Sequence, residues 1–214
     1  MSRHERHLLD GPDGKIEVFV EPTETPQSAA GLVLIAHPHP LFGGTPDNKV
    51  VTTLARAFRD LGCITLRPSF RGVGASEGEH THGDKETDDQ LAVLAWAQQR
   101  FGQDLPVYLA GFSFGAFVTT RMAKVLAEAG RPARRLVLVG TAAGYVEGAR
   151  SYDTEAVAAD TLVIHGDRDE TVRLEHVLAW AEPLEVPVVV VAGADHFFHR
   201  KLHLIRSIIE RAWN

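Results

Sequence analysis

A chain of 214 residues with 44% hydrophobic residues accommodates one domain built on a single core, and leaves no room for two. Its net charge of -6 and its scattered Lys and Arg residues provide no basic field for a phosphate backbone, which excludes nucleic acid as an expected partner. No apolar run approaches the roughly 20 residues that span a bilayer, and the opening "MSRHERHLLDGPDG" has no leader-like apolar stretch, so a cytoplasmic protein without membrane contact is expected.

The first elements should be an antiparallel edge. "HLLDGPDGK" reads as a strand running into a Gly/Pro/Asp turn, and "KIEVFVEP" alternates with Ile16, Val18 and Val20 on one face. The pattern then changes to short continuous apolar runs, as expected of parallel strands covered on both sides: "GLVLIAH", "CITLRPSF", "PVYLAGF", "RLVLVGT", "TLVIHG" and "VPVVVVAG". Helical windows separate them at Asn48 to Leu61, Asp84 to Arg100, Phe114 to Ala129, Arg173 to Leu184 and Lys201 to Trp213, with Gly62 and Gly130 placed as C-cap residues. The expected fold is therefore α/β over residues 1–214: a mostly parallel, doubly wound sheet of about eight strands with helices on both faces. Cys63 is the only cysteine and lies inside an apolar run, where a buried structural thiol is expected.

The pattern G-x-S-x-G occurs twice, around Ser76 in "GVGASEGEH" and around Ser113 in "LAGFSFGAF". A nucleophilic serine at such a site needs a sharp strand-to-helix turn with small residues on both sides. Only Ser113 has it, with "PVYLA" before Gly111 and a helical window after. The amide of Phe114, at the start of that helix, would then face a developing oxyanion. Ser76 is followed by the polar segment "EGEHTHGDKETDD" and reads as a loop serine.

A serine hydroxyl needs a base, and the base an orienting acid. "TLVIHGDRDET" supplies Asp167 and Asp169 after one strand, and "VVVVAGADHFFH" supplies His196 after the last, in the chain order Ser, Asp, His. His199 and His203 share a helical face with His196, yet no metal motif or Cys ligand accompanies them, so no metal is expected. "RGVGASEG" has Glu77 where a dinucleotide turn needs its third Gly, and "GEHTHGDK" places Asp84 where a P-loop needs Lys; neither supports a nucleotide cofactor.

Together "AHPHPLFGGTPDNKVV", "LRPSFRGVGASEG", "GFSFGAF", "HGDRDETV" and "GADHFF" resemble the small, lidless α/β-hydrolases regarded as serine hydrolases, close to esterases and dienelactone-hydrolase-like proteins. The resemblance covers about Lys15 to the C-terminus. It implies Ser113 as nucleophile, His196 as general base, and Asp169 as the acid, with Asp167 as a stand-in. It further implies that the loop holding His37, Pro38 and His39 supplies the second oxyanion amide from His39, since Pro38 and Pro40 have no N–H. Arg71 and Gly72 then shape a turn beside the site, whose rim carries the charged "HTHGDKETDD".

The expected activity is hydrolysis of a small or short-chain carboxylic ester through an acyl-enzyme, without cofactor. Thioester, lactone or peptide cleavage would use the same apparatus, and a non-catalytic scaffold that binds a ligand is the alternative of another class. About twenty residues join Gly140 to Thr161, too few for a bulky cap. Phe42, Phe112, Tyr145, Phe197 and Phe198 are placed in or beside site loops as candidate linings of a shallow apolar pocket. Activity should be lost as His196 becomes protonated, because an imidazolium cannot accept the serine proton. The sequence leaves the oligomeric state open.

Overall fold

The computed structural model describes residues 4–23 and 28–213; the remaining positions of the 214-residue chain, over which one domain is expected, lie outside the described residues. Its main sheet has eight strands: β1 (Glu5–Gly11), β2 (Gly14–Glu21), β3 (Gly31–Ala36), β4 (Cys63–Pro68), β5 (Val107–Phe112), β6 (Arg135–Val139), β9 (Leu162–Gly166) and β10 (Val188–Val191). They lie in the order β1-β2-β4-β3-β5-β6-β9-β10. β1 pairs antiparallel with β2 from Glu5↔Val20 to Gly11↔Gly14, and β2 pairs antiparallel with β4; every other pairing is parallel. A short separate ribbon, β7 (Gly144–Tyr145) with β8 (Ser151–Tyr152), leaves the sheet after β6.

Continuous apolar strands are needed because the sheet is covered on both faces. Leu32, Leu34 and Ala36 of β3 face one core, together with α2 (Asp84–Phe101), α3 (Phe114–Glu128) and α4 (Leu174–Ala181). The intervening Val33 and Ile35 face the other core, which is closed by α1 (Lys49–Asp60) and α5 (Leu202–Ala212). The two-residue side-chain period of a strand thus serves two hydrophobic layers with one apolar run. Cys63 sits in the second layer, where burial pushes its thiol up to about 11.

The window from Arg173 to Leu184 divides in two. α4 stops at Ala181 and a 3-10 turn covers Glu182–Leu184, because Pro183 has no N–H for an α-helical hydrogen bond. The other four helices lie within a residue of their expected limits at each end.

The loop after β4 is held by buried charge. Arg71 donates to Asp89 of α2 in a forked pair, Nε to Oδ2 at 2.8 Å and Nη2 to Oδ1 at 3.2 Å. Both residues are buried, and burial raises the Asp89 carboxyl against the pull of Arg71. Removing one member strands the other, whereas removing both does not. Arg71→Met should therefore cost about 3 kcal/mol in urea unfolding, with most of it recovered in Arg71→Met/Asp89→Leu. Additive losses would contradict this reading.

Candidate active site

The turn from β5 into α3 is possible only without side chains on its two glycines. A Cβ on Gly111 would lie 2.5 Å from the carbonyl of Gly115, and one on Gly115 would lie 2.2 Å from the carbonyl oxygen of Ala36 on the neighbouring strand. This close approach forces the intervening Ser113 to φ 58° and ψ -120°, a conformation that costs a non-glycine residue roughly 1–3 kcal/mol. Its side chain is pushed out at the carboxyl end of the central strands, and Phe114 becomes the first helical residue, with an amide that has no intrahelical acceptor.

Ser113 Oγ donates to His196 Nε2 at 3.0 Å, and His196 Nδ1 donates to Asp169 Oδ2 at 2.7 Å. The carboxylate is itself aimed by its other oxygen, which accepts from the amides of Thr171 at 2.9 Å and Val172 at 2.8 Å. Asp167 is used differently: it accepts from the Gly193 amide and so ties the loop leading to His196. The three groups come from the ends of β5, β9 and β10, as parallel strands with short connections require. His199, by contrast, turns to Asp195, with Nδ1 2.6 Å from Oδ2.

Ser76 is a clamp. It is buried, donating to the carbonyl of Ser69 at 2.8 Å and accepting from the Glu17 amide at 2.9 Å, so it joins the loop after β4 to β2. Its flanking Gly74 and Gly78 have φ of 60° and 88°, and a Cβ on Gly74 would run into the Glu17 carboxylate. The glycines of this second motif serve loop turns rather than an elbow.

The loop from His37 to Gly44 forms the opposite wall. His37 is fully buried; its Nδ1 donates to the Pro38 carbonyl at 2.7 Å and its Nε2 accepts from the Phe70 amide at 2.9 Å. Burial outweighs the Pro38 bond and pushes this imidazole down to about 3. His39 is extended at φ -56°, ψ 121° and caps a 3-10 turn over Pro40–Phe42; its amide enters no backbone hydrogen bond among the described residues. Half-burial, then the charges of His80, His82 and Arg150, lower the His39 imidazole to about 4.

The charged segment after residue 79 braces this wall. Glu86 is buried, yet it accepts from the Thr81 amide at 2.8 Å, the Thr81 hydroxyl at 2.7 Å and the Gly83 amide at 2.9 Å. Burial is the largest influence and opposes ionisation, but these donors prevail and hold the carboxyl below its ordinary value. The ring of His80 packs 4.6 Å from that of His39 and 5.2 Å from that of Phe114. One imidazole thus touches both residues whose amides are the oxyanion candidates.

These elements surround an open cavity of about 310 Å³ that contains Ser113, His196, His39 and Phe114. That is near the lower end of the roughly 300–1,000 Å³ typical of ligand pockets. Phe42 and Phe197 line it, while Phe112 and Tyr145 are not part of its lining. Phe112 is the last residue of β5 and its side chain turns into the α1/α5 layer, supporting the His196 ring at 4.9 Å from below. Phe198 is in the same layer, and Tyr145 points away into solvent from the outer side of the ribbon. The lining that sequence reasoning missed includes Ala142, just before the β7–β8 ribbon, and Val146 and Tyr152 from the ribbon and its turn. Two-residue strands have no periodicity that could have announced them. No group of three or more metal-ligating side chains is present among the described residues, and no helix there is long and apolar enough to cross a membrane.

Residues 51–205 match the family model described as a thioesterase domain. An uncharacterised protein of Rickettsia prowazekii, RP471, is 32% identical over 203 residues, covering 90% of this chain and 82% of its own. Among solved structures, an α/β serine hydrolase homologue from Coxiella burnetii superposes with a TM-score of 0.83 at 38% identity, covering 99% of this chain and 97% of that one. XC6422 from Xanthomonas campestris, described as an α/β serine hydrolase without lid, gives a TM-score of 0.84 at 36% identity and covers 99% and 94%.

His37 makes the wall sensitive to acid. Its pKa in the folded protein is far below the ordinary 6.5, so the stability it contributes is complete above that value and is lost as pH falls toward about 3. Unfolding free energy should drop between pH 7 and pH 5 with a contribution of about 2 kcal/mol from this residue, and His37→Asn should flatten the profile by that amount. Equal slopes in the two proteins would contradict the assignment.

Proposed function

The chain belongs to the thioesterase-domain family and to the small lidless α/β-hydrolases within that fold, and from this membership we propose that it is a serine hydrolase cleaving a small acyl ester or thioester through an acyl-enzyme at Ser113. That it is a hydrolase of the α/β type follows from the family. The observation that supports the finer reading is the unbroken chain from Ser113 Oγ through His196 to Asp169, opening on the cavity.

In this mechanism Ser113 Oγ bonds to the acyl carbon as its proton passes to His196 Nε2, and the carbonyl electrons move onto oxygen. The amides of Phe114 and His39 receive that oxyanion, each such donor typically contributing about 3 kcal/mol. Collapse breaks the bond to the leaving oxygen or sulfur, which takes the proton from Nε2. Water then repeats the sequence on the acyl-enzyme, giving its proton to Nε2, which returns it to Oγ as the acid departs. Asp169 holds Nδ1 protonated so that the neutral imidazole presents Nε2 as the acceptor at the start of each half-reaction. The thioester branch of the reading is favoured by the family match; the oxygen-ester branch is favoured by the likeness to serine hydrolases.

Kinetics on matched oxygen esters and thioesters of short acyl chains test the proposal. Wild type should turn over one or both series. Ser113→Ala and His196→Ala should each lose about 10³-fold or more in kcat, and Asp169→Asn about 10²-fold or more. Asp167→Asn should keep kcat within the wild-type order of magnitude. Equal losses at Asp167 and Asp169, or retained activity in Ser113→Ala, would overturn the assignment.

A further inference from the structure

We propose that Tyr152 closes the far end of the acyl subsite and sets the longest acyl chain the protein accepts, an inference that rests on the serine-hydrolase reading above. It begins from where a tetrahedral carbon on Ser113 Oγ must point its substituents. The leaving group has to lie within reach of His196 Nε2, which protonates it. Phe197 flanks that side, its ring 5.2 Å from the imidazole. The oxygen lies toward the amides of Phe114 and His39, so the acyl group is directed away from His196.

On the ribbon side the cavity is lined by the buried Phe114, Ala142, Val146 and Tyr152, with the exposed turn 147–149 at its rim. Exposure separates its depth from the entrance. Phe42 and Phe197 are 66% and 45% exposed, whereas Phe114, Ala142, Val146 and Tyr152 line the cavity while buried, so Phe42 and Phe197 form the mouth and Tyr152 is the large ring that the ribbon contributes to the floor. The floor is rigid. Tyr152 meets Phe117 edge-on at 5.1 Å and Phe114 at 6.3 Å, and the Arg150 guanidinium lies 4.7 Å over its ring. Arg150 also donates to the carbonyl of His82, tying the ribbon to the loop before α2. From behind, the Thr154 hydroxyl holds the Ala142 carbonyl at 2.7 Å, and Trp180 Nε1 donates to the Thr154 carbonyl at 3.1 Å. An acyl chain that reaches this ring has no soft boundary to displace.

Each methylene that fits against the apolar wall should raise kcat/KM roughly fourfold until the chain meets Tyr152, beyond which it should fall. The experiment measures kcat/KM for p-nitrophenyl esters and matching acyl thioesters from acetyl to decanoyl, in wild type, Tyr152→Ala and Val146→Gly, together with acetate esters of rising alcohol length. Tyr152→Ala should move the optimum to longer acyl chains, raising the octanoyl-to-butyryl ratio about tenfold, and should leave the order of preference in the alcohol series as in wild type. Val146→Gly widens the same wall and should shift the acyl optimum in the same direction, which decides the matter if Tyr152→Ala does not fold. An unmoved acyl optimum, or a shift in the alcohol series instead, overturns the inference while leaving the hydrolase reading intact. A wild type that cleaves no substrate in any series overturns both.

Discussion

Three backbones meet at the turn between β5 and α3, and the rest of the site depends on that contact. Gly111, Gly115 and the carbonyl of Ala36 approach more closely than any Cβ allows. The approach fixes Ser113 at positive φ, starts α3 at Phe114, and sets the spacing between β5 and β3 from which the His37–Gly44 loop departs. Each consequence serves the proposed chemistry: a hydroxyl that lines the cavity, an amide with no helical acceptor, and a facing loop whose His39 amide has no backbone partner among the described residues. Packing of the two hydrophobic layers holds the turn closed, so the strain at Ser113 is carried by the core on both sides of the sheet.

Around this turn the protein buries several titratable groups and uses each as a strut. His37 is kept neutral between Pro38 and Phe70, and Glu86 is kept charged by Thr81 and Gly83. His80 packs against His39 and Phe114 and so links the Glu86 turn to the wall that carries their amides. A lidless pocket has no cap to press its loops into place. Here buried polar anchors supply that order, including the Arg71–Asp89 fork behind the loop after β4.

Much of this was legible from residues in a row. Continuous apolar runs marked the parallel strands, and the motifs at their ends marked the face where Ser113, Asp169 and His196 meet, because a doubly wound sheet places its strand ends together. The two G-x-S-x-G segments were told apart by what followed them, and the structure gives the physical difference: the Gly111–Gly115 pair makes a backbone crossing, the Gly74–Gly78 pair a loop clamped by Ser76. What was not legible depended on side-chain direction and on non-periodic chain. Phe112 and Phe114 flank the same serine, yet one enters the α1/α5 layer and the other the α2–α4 layer and the cavity. Tyr145 and Tyr152 lie on the same small ribbon, and only Tyr152 turns inward. The charged stretch after residue 79 gave no sign of an anchored turn, because nothing in its composition distinguishes the buried Glu86 from its exposed neighbours Asp84 and Lys85.

The central claim is that the Ser113 hydroxyl is an activated nucleophile, while Ser76 in the same sequence pattern is structural. Treating the native protein with a fluorophosphonate and mapping the adduct by peptide mass spectrometry measures this directly. The account predicts one adduct per chain, on the peptide containing Ser113, which disappears in His196→Ala because the hydroxyl loses its base. No adduct on the wild-type protein, or an adduct on the Ser76 peptide, would contradict it.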